Sequence, residues 1–160
     1  MKKVCERLYF IIFLFISIIS VDQLTKYFIR KTFILGESKE ILGSFFRFTF
    51  VFNPYAAFGL SLGPKWIYYL FVFLAIALIV YYFIKNYSKA NEFEILAGSM
   101  IIAGAISNMI DRLAMGKVTD FIDFGIGIHR YPYFNIADSS VVIGAIILLY
   151  SLSFIRKNEK

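Results

Sequence analysis

Residues 108–140 read NMIDRLAMGKVTDFIDFGIGIHRYPYFNIADSS. Apolar runs lie on both sides, Ile95 to Ile110 before it and Val141 to Ile155 after it. The stretch holds four of the five aspartates (Asp111, Asp120, Asp123 and Asp138), together with Asn108, Asn135, Arg112 and the only histidine, His129. Carboxylates at the edge of lipid are costly unless they are paired, hydrated or used. This is a polar connection between two membrane spans, and its acids form a candidate site.

Working outward, the rest of the chain reads as membrane. Of 160 residues, 59% are hydrophobic, with 19 Phe and 11 Tyr, and mean hydropathy is +0.71. That apolar share exceeds a soluble domain's, and aromatic residues suit interfacial belts. Leu8 to Val21 is an uninterrupted apolar run that continues in helical style through DQLTKYFI to about Ile29. No small-residue cleavage site follows it, so it reads as a retained first span rather than a leader. Trp66 to Ile84 carries no charge and is the clearest span. The expected architecture is an α-helical integral membrane protein, one domain over residues 1–160. Its spans are expected at about 8–29, 66–84, 94–112 and 136–155, with external loops at about 30–65 and 113–135. Ile41 to Asn53 alternates Phe, Val and Thr and predicts short strands, a small external β-rich cradle. Tyr55 to Leu62 predicts a short helix on the membrane surface, ended by Gly63-Pro64. Ser99, Ala103 and Ser107 recur every four residues, as do Gly104 and Asn108; small residues at that spacing let helices approach closely.

The net charge of +6 falls beside the spans, where basic residues meet anionic lipid. The partner it implies is membrane lipid and not nucleic acid. One cysteine, Cys5, allows no internal disulfide. One histidine argues against a histidine-rich zinc site, and no metal or other cofactor is expected. An even number of spans places both termini on one side; counting Lys and Arg does not settle which, but the basic start MKK argues for the cytoplasm. The aspartates then lie at the outer face.

Asp120 and Asp138 are the candidate catalytic pair. Two carboxyls brought together share a proton, supplying a base to activate water and an acid for a scissile carbonyl. Asp123 competes with Asp120, since DFIDF offers either acid. Simpler roles stand beside these. Asp138 suits the first turn of the last span, with Asn135 as its cap. Asn108 suits interhelical hydrogen bonding, and Asp22 with Lys26 an i,i+4 ion pair. His129 reads as a surface residue.

Five motifs in order, DQLTK at 22–26, NPYAAFG at 53–59, SNMIDR at 107–112, VTDFIDF at 118–124 and FNIADSS at 134–140, resemble the bacterial lipoprotein signal peptidases (signal peptidase II) over nearly the whole chain. The resemblance implies a membrane aspartic endopeptidase of the bacterial cell membrane. Its substrates would be diacylglyceryl-modified prolipoproteins, cut just before the lipid-bearing cysteine, and globomycin-type peptides would inhibit it. It implies Asp120 and Asp138 as the catalytic residues, which decides between Asp120 and Asp123. It also implies supporting roles for Asp22, Lys26, Asn53, Asn108, Asp111, Arg112 and Asn135. Two departures remove glycines near the site. Tyr55 stands at a family glycine, and Ala103-Gly104-Ala105-Ile106-Ser107-Asn108 replaces the usual Gly-Gly-x-x-Gly-Asn.

The rival class is a small polytopic transporter or channel-like protein with an external acidic site. Against it, spans two and three proper carry no charge and the two halves do not match. A monomer is expected. Residues 41–62 have few polar anchors in sequence and are expected to form a movable cover over the pair. In it Asn53 would touch substrate backbone and Phe58 would pack on acyl chain or leader.

Overall fold

A computed structural model describes residues 2–54, 65–86 and 89–155. Its elements are α1 (Lys2–Thr32), β1 (Ser38–Leu42), β2 (Phe46–Asn53), α2 (Lys65–Asn86), α3 (Glu92–Met115), β3 (Val118–Ile126), β4 (His129–Arg130) and α4 (Ile136–Tyr150), which runs on into a π-helical turn, Ser151–Ile155. Four of these helices are long and apolar enough to cross a membrane. The four-helix membrane fold with a small sheet is therefore as expected. Tyr55, Phe58, the surface helix expected at 55–62 and the Gly63-Pro64 break lie outside the described residues.

Helix α3 is the centre of the bundle. Half of its apolar length is buried, against little or none of α1, α2 and α4. Its small residues make this possible: a Cβ on Gly104 would stand 2.4 Å from the Ala137 carbonyl oxygen of α4, and one on Gly144 2.8 Å from the Ala97 oxygen of α3. Both ends of α3 are defined locally. The Asn91 side chain accepts the Glu94 N–H at 2.9 Å, a helix N-cap. Gly116, at φ 71°, returns its N–H to the Arg112 carbonyl, the left-handed close that glycine permits.

The sheet is antiparallel, in the order β1-β2-β3-β4. It closes over one end of the bundle through a small core of Ile29, Phe50 and Phe121. Two expectations change here. First, residues 118–126 are not a loop: β3 is an inner strand pairing β2 along its length. Val118, Asp120, Ile122 and Phe124 alternate with Thr119, Phe121 and Asp123, the period of a strand with two distinct faces. Second, residues 46–53 are not weakly anchored. Arg47 and Thr49 bind Asp123, and Asn53 binds Asp120. A movable cover therefore cannot include β2.

The β2–β3 register carries an irregularity. Arg47 faces Asp123 and Phe48 faces Ile122, but then Val51 faces Asp120 and Asn53 faces Val118. Thr49 and Phe50 together stand opposite Phe121, one residue in excess. A one-residue shift exchanges the faces of everything beyond it. Before the bulge, odd-numbered β2 residues share the face of Asp123; after it, they share the face of Asp120. The bulge thereby turns Asn53 toward Asp120, in keeping with the way bulges re-aim side chains beside functional sites.

Candidate active site

Asp120 and Asp138 reach one cavity from different elements. Asp120 is on the even face of β3, with Val118 and Phe124, and Asp138 is in the first turn of α4. The cavity has a volume of about 620 Å³ and is walled by Val72 of α2, Ala105 of α3 and Val141–Ile143 of α4. Asn53, Asn108 and Arg112 line it together with the carboxyls, and its surface is otherwise mostly apolar.

Hydrogen bonds fix both carboxyls. Asn135 caps α4: its side chain accepts the Asp138 N–H at 2.9 Å, and its own N–H donates to Asp138 Oδ2 at 3.1 Å. The other Asp138 oxygen accepts Asn108 Nδ2 at 2.7 Å. Asp120 Oδ1 accepts Asn135 Nδ2 at 2.8 Å, and Oδ2 accepts Asn53 Nδ2 at 3.0 Å. Asn135 Nδ2 also donates to Asn108 Oδ1 at 3.0 Å. One continuous chain, Asp120–Asn135–Asn108–Asp138, joins the two acids. Burial, and after it the negative charge of Asp138, push the Asp120 carboxyl up to about 6, against the hydrogen bonds from Asn53 and Asn135. An acid that holds its proton so far above the usual carboxylate range is suited to sharing one with a neighbour.

Beneath the pair lies a buried ion cluster. Lys26 Nζ, fully buried, meets Asp22 Oδ2 at 2.7 Å, Asp111 Oδ2 at 3.2 Å and Asn108 Oδ1 at 2.8 Å. Three partners match the three N–H donors of an ammonium. The expected Asp22–Lys26 pair is thus one edge of a larger network. Asp22 also accepts the Ala137 N–H of α4 at 2.9 Å and the Ser107 hydroxyl at 2.7 Å. Asp111 accepts the Thr119 N–H at the start of β3 at 3.1 Å. So Asp22 holds the helix that carries Asp138, Asp111 holds the strand that carries Asp120, and Lys26 ties both to Asn108. Arg112 lines the cavity from α3. Gln23, which the sequence reading did not single out, donates to Asp111 Oδ1 at 3.1 Å and to the Ser107 carbonyl at 3.0 Å. Its signal was its place one residue after Asp22, inside a polar turn.

Asp123 does not join the pair. It sits on the opposite face of β3, wholly buried, between Arg47 at 3.0 Å and Arg130. Burial acts to raise its carboxyl, but Thr49, Arg130 and Arg47 outweigh it and hold Asp123 below the usual range. His129 is exposed, as the sequence reading placed it. The structure brings Asp22, Lys26, Asn53, Asn108, Asp111, Arg112 and Asn135 around Asp120 and Asp138, and leaves Asp123 and His129 outside.

A family model described as signal peptidase (SPase) II matches residues 14–154. The lipoprotein signal peptidase of Staphylococcus aureus strain JH9 is 37% identical over 158 residues, covering 97% of this chain and 96% of the relative; that of strain N315 matches equally. A solved structure described as a bacterial membrane enzyme superposes with a TM-score of 0.84 at 37% identity, over 94% of this chain and 91% of the other. A second, of the same description, gives 0.80 over 90% and 92%.

Proposed function

This chain belongs to the signal peptidase II family, and from that membership we propose that Asp120 and Asp138 are the aspartic centre with which it works. As a membrane peptidase of this family it removes the signal peptide from prolipoproteins; the transporter or channel reading has no support among its relatives. The observation that carries the aspartic reading is the convergence of Asp120 and Asp138 on one cavity, joined through Asn108 and Asn135.

The proposed reaction uses the two carboxyls as an acid–base pair. One proton is shared by the two carboxyls. The ionised carboxylate takes a proton from a water between them as that water adds to the scissile carbonyl. The protonated carboxyl meanwhile donates to the carbonyl oxygen. Collapse of the tetrahedral species breaks the C–N bond, the proton taken from water passes to the leaving amine, and the proton given to the carbonyl oxygen returns to the carboxyl pair. The free carboxyl stays with the leader peptide and the amine with the mature cysteine. Asn108 and Asn135 hold the two acids through this exchange, while Arg112 supplies positive charge at the cavity wall. The apolar walls suit a diacylglyceryl-modified substrate, with the cut just before the lipid-bearing cysteine. The side on which the carboxyls lie is proposed to be the outer face of the bacterial membrane, with both termini in the cytoplasm.

The test is cleavage of a diacylglyceryl-modified prolipoprotein by purified protein. Asp120→Asn and Asp138→Asn should each lower kcat by about 10³ or more, the upper part of the range for general acid–base groups, with insertion and folding unchanged. Wild-type activity should survive EDTA. Either variant retaining normal turnover, or loss on chelation restored by zinc, would overturn the aspartic centre.

A further inference from the structure

The β3–β4 hairpin ends in a tip that the peptidase chemistry does not use. Ile126 pairs with His129, which leaves Gly127 and Ile128 as a two-residue turn. Gly127 has φ 57°, the left-handed conformation that the first position of such turns requires. The second position commonly takes a polar residue; here it is Ile128, 90% exposed, beside Ile126 at 75%. Ile126 and Ile128, separated only by Gly127, make an exposed apolar patch, and such patches mark interaction surfaces. The β1–β2 turn lies alongside. Gly125 donates to the Phe45 carbonyl at 3.0 Å and Arg130 to the Ser44 carbonyl at 2.6 Å, and Phe45 is itself 52% exposed.

The direction of β3 decides what this rim faces. Phe124 stands four residues past Asp120, about 13 Å along a strand. It still lines the cavity that reaches Val142 and Ile143 within the last span, and so do Tyr131, Pro132 and Tyr133 on the return. A strand rising away from the bilayer would leave that cavity; β3 instead runs along it from Val118 through Asp120 to Phe124. The apolar tip begins two residues beyond Phe124, the last β3 residue to line a cavity shared with the last span. Residues 124–134 include no acid, and the exposed Tyr131 follows the tip, a composition suited to the headgroup layer.

We propose that the Ile126–Gly127–Ile128 tip inserts into the headgroup–acyl boundary of the bilayer and anchors the sheet over the cavity mouth. The anchor holds the strand bearing Asp120 against the lipid from which a lipid-modified substrate arrives. It rests on the membrane spans and not on the assignment of the carboxyl pair, so either can fail without the other.

The experiment is spin labelling of the full chain in liposomes. Cys5→Ser removes the only thiol, and Ile128→Cys places a label at the tip. Ile146→Cys, on the exposed face of α4, serves as the lipid reference, and Lys89→Cys, in the turn between α2 and α3, as the water reference. The ratio of oxygen to water-soluble nickel-chelate accessibility at 128 should be severalfold above that at 89 and below that at 146, the value of a site at the boundary. A ratio at 128 equal to that at 89 overturns the anchor. Ile126→Cys is the second site should the first variant fail to insert, with the same expected ratio and the same overturning result.

Discussion

At the residue scale, the difference between Asp120 and Asp123 is one of parity. They are three apart on one strand, so their carboxyls leave opposite faces, and each face sets a different environment. Asp120 is buried near a like charge and its carboxyl rises to about 6. Its folded value is above its unfolded one, so the folded state binds the extra proton. Stability is then fullest below the unfolded value near 4 and is lost as pH rises toward 6. A shift from 3.8 to about 6 corresponds to about 3 kcal/mol at most. Thermal unfolding in nanodiscs should show wild type losing stability from pH 4 to 6 and Asp120→Asn losing much less; parallel curves would refute the raised carboxyl. Asp123 has the opposite sign: its lowered carboxyl stabilises above the unfolded value and ceases to do so as pH falls below it, outside that window. Asp123→Asn should leave the chemistry intact while stranding two guanidiniums. The expected cost is roughly 2 to 4 kcal/mol, reduced from the fully buried case because both arginines reach solvent. The expected result is a lower unfolding temperature with kcat near wild type in the cold; a large loss of kcat in a stable variant would place Asp123 in the chemistry.

At the element scale, α3, α4 and β3 carry the site, and how legible each was in sequence differs. The spans were legible because lipid demands long apolar helices and leaves few alternatives. Asn135 and Asp138 were legible as a cap because capping is local. Strand β3 was missed although VTDFIDF alternates. Its Asp, Thr and Gly content reads as loop, and its second face becomes plain only with Arg47, Thr49 and Arg130 arriving from elsewhere. Recognising that alternation would have separated Asp120 from Asp123 without any resemblance. The bulge at Thr49–Phe50 leaves no mark in sequence, since it is a property of pairing with Phe121. The α3–α4 contact was visible as a row of small residues but not in its closeness. Adding one methyl at Gly104 forces α3 off the Ala137 carbonyl, a backbone atom that cannot give way by a rotamer change. Gly104→Ala should therefore cost about 1–3 kcal/mol by overpacking. It should also lower kcat, because Ala137 precedes Asp138. An unfolding temperature and kcat both at wild-type values would show that the two helices separate freely.

At the scale of the whole molecule, the polar chemistry is gathered at one end of the bundle. The late part of α1 with Asp22 and Lys26, the C-terminal end of α3 with Asn108 and Asp111, the start of α4 with Asp138, and the whole sheet meet there. The opposite end holds the start of α1 and the start of α3, joined by Arg7 and Glu92 at 2.8 Å, and the end of α4, where Ser151 pairs with Asn91. A substrate that has been exported can meet the carboxyls only if the first end is external. In that proposed orientation four crossings would place both termini inside, the side that the basic residues near the start of α1 favour. The buried cluster resists any inversion of single helices, since Lys26 and its two aspartates would have to cross lipid unpaired. Reporter fusions after Lys160 should therefore report cytoplasm, and truncating fusions after Gly116 the exterior. Lys89→Cys in the Cys5→Ser chain should be shielded from a membrane-impermeant thiol reagent in intact cells and react once the membrane is opened. Labelling of 89 in intact cells would place the carboxyls on the cytoplasmic side and exclude them from processing an exported lipoprotein.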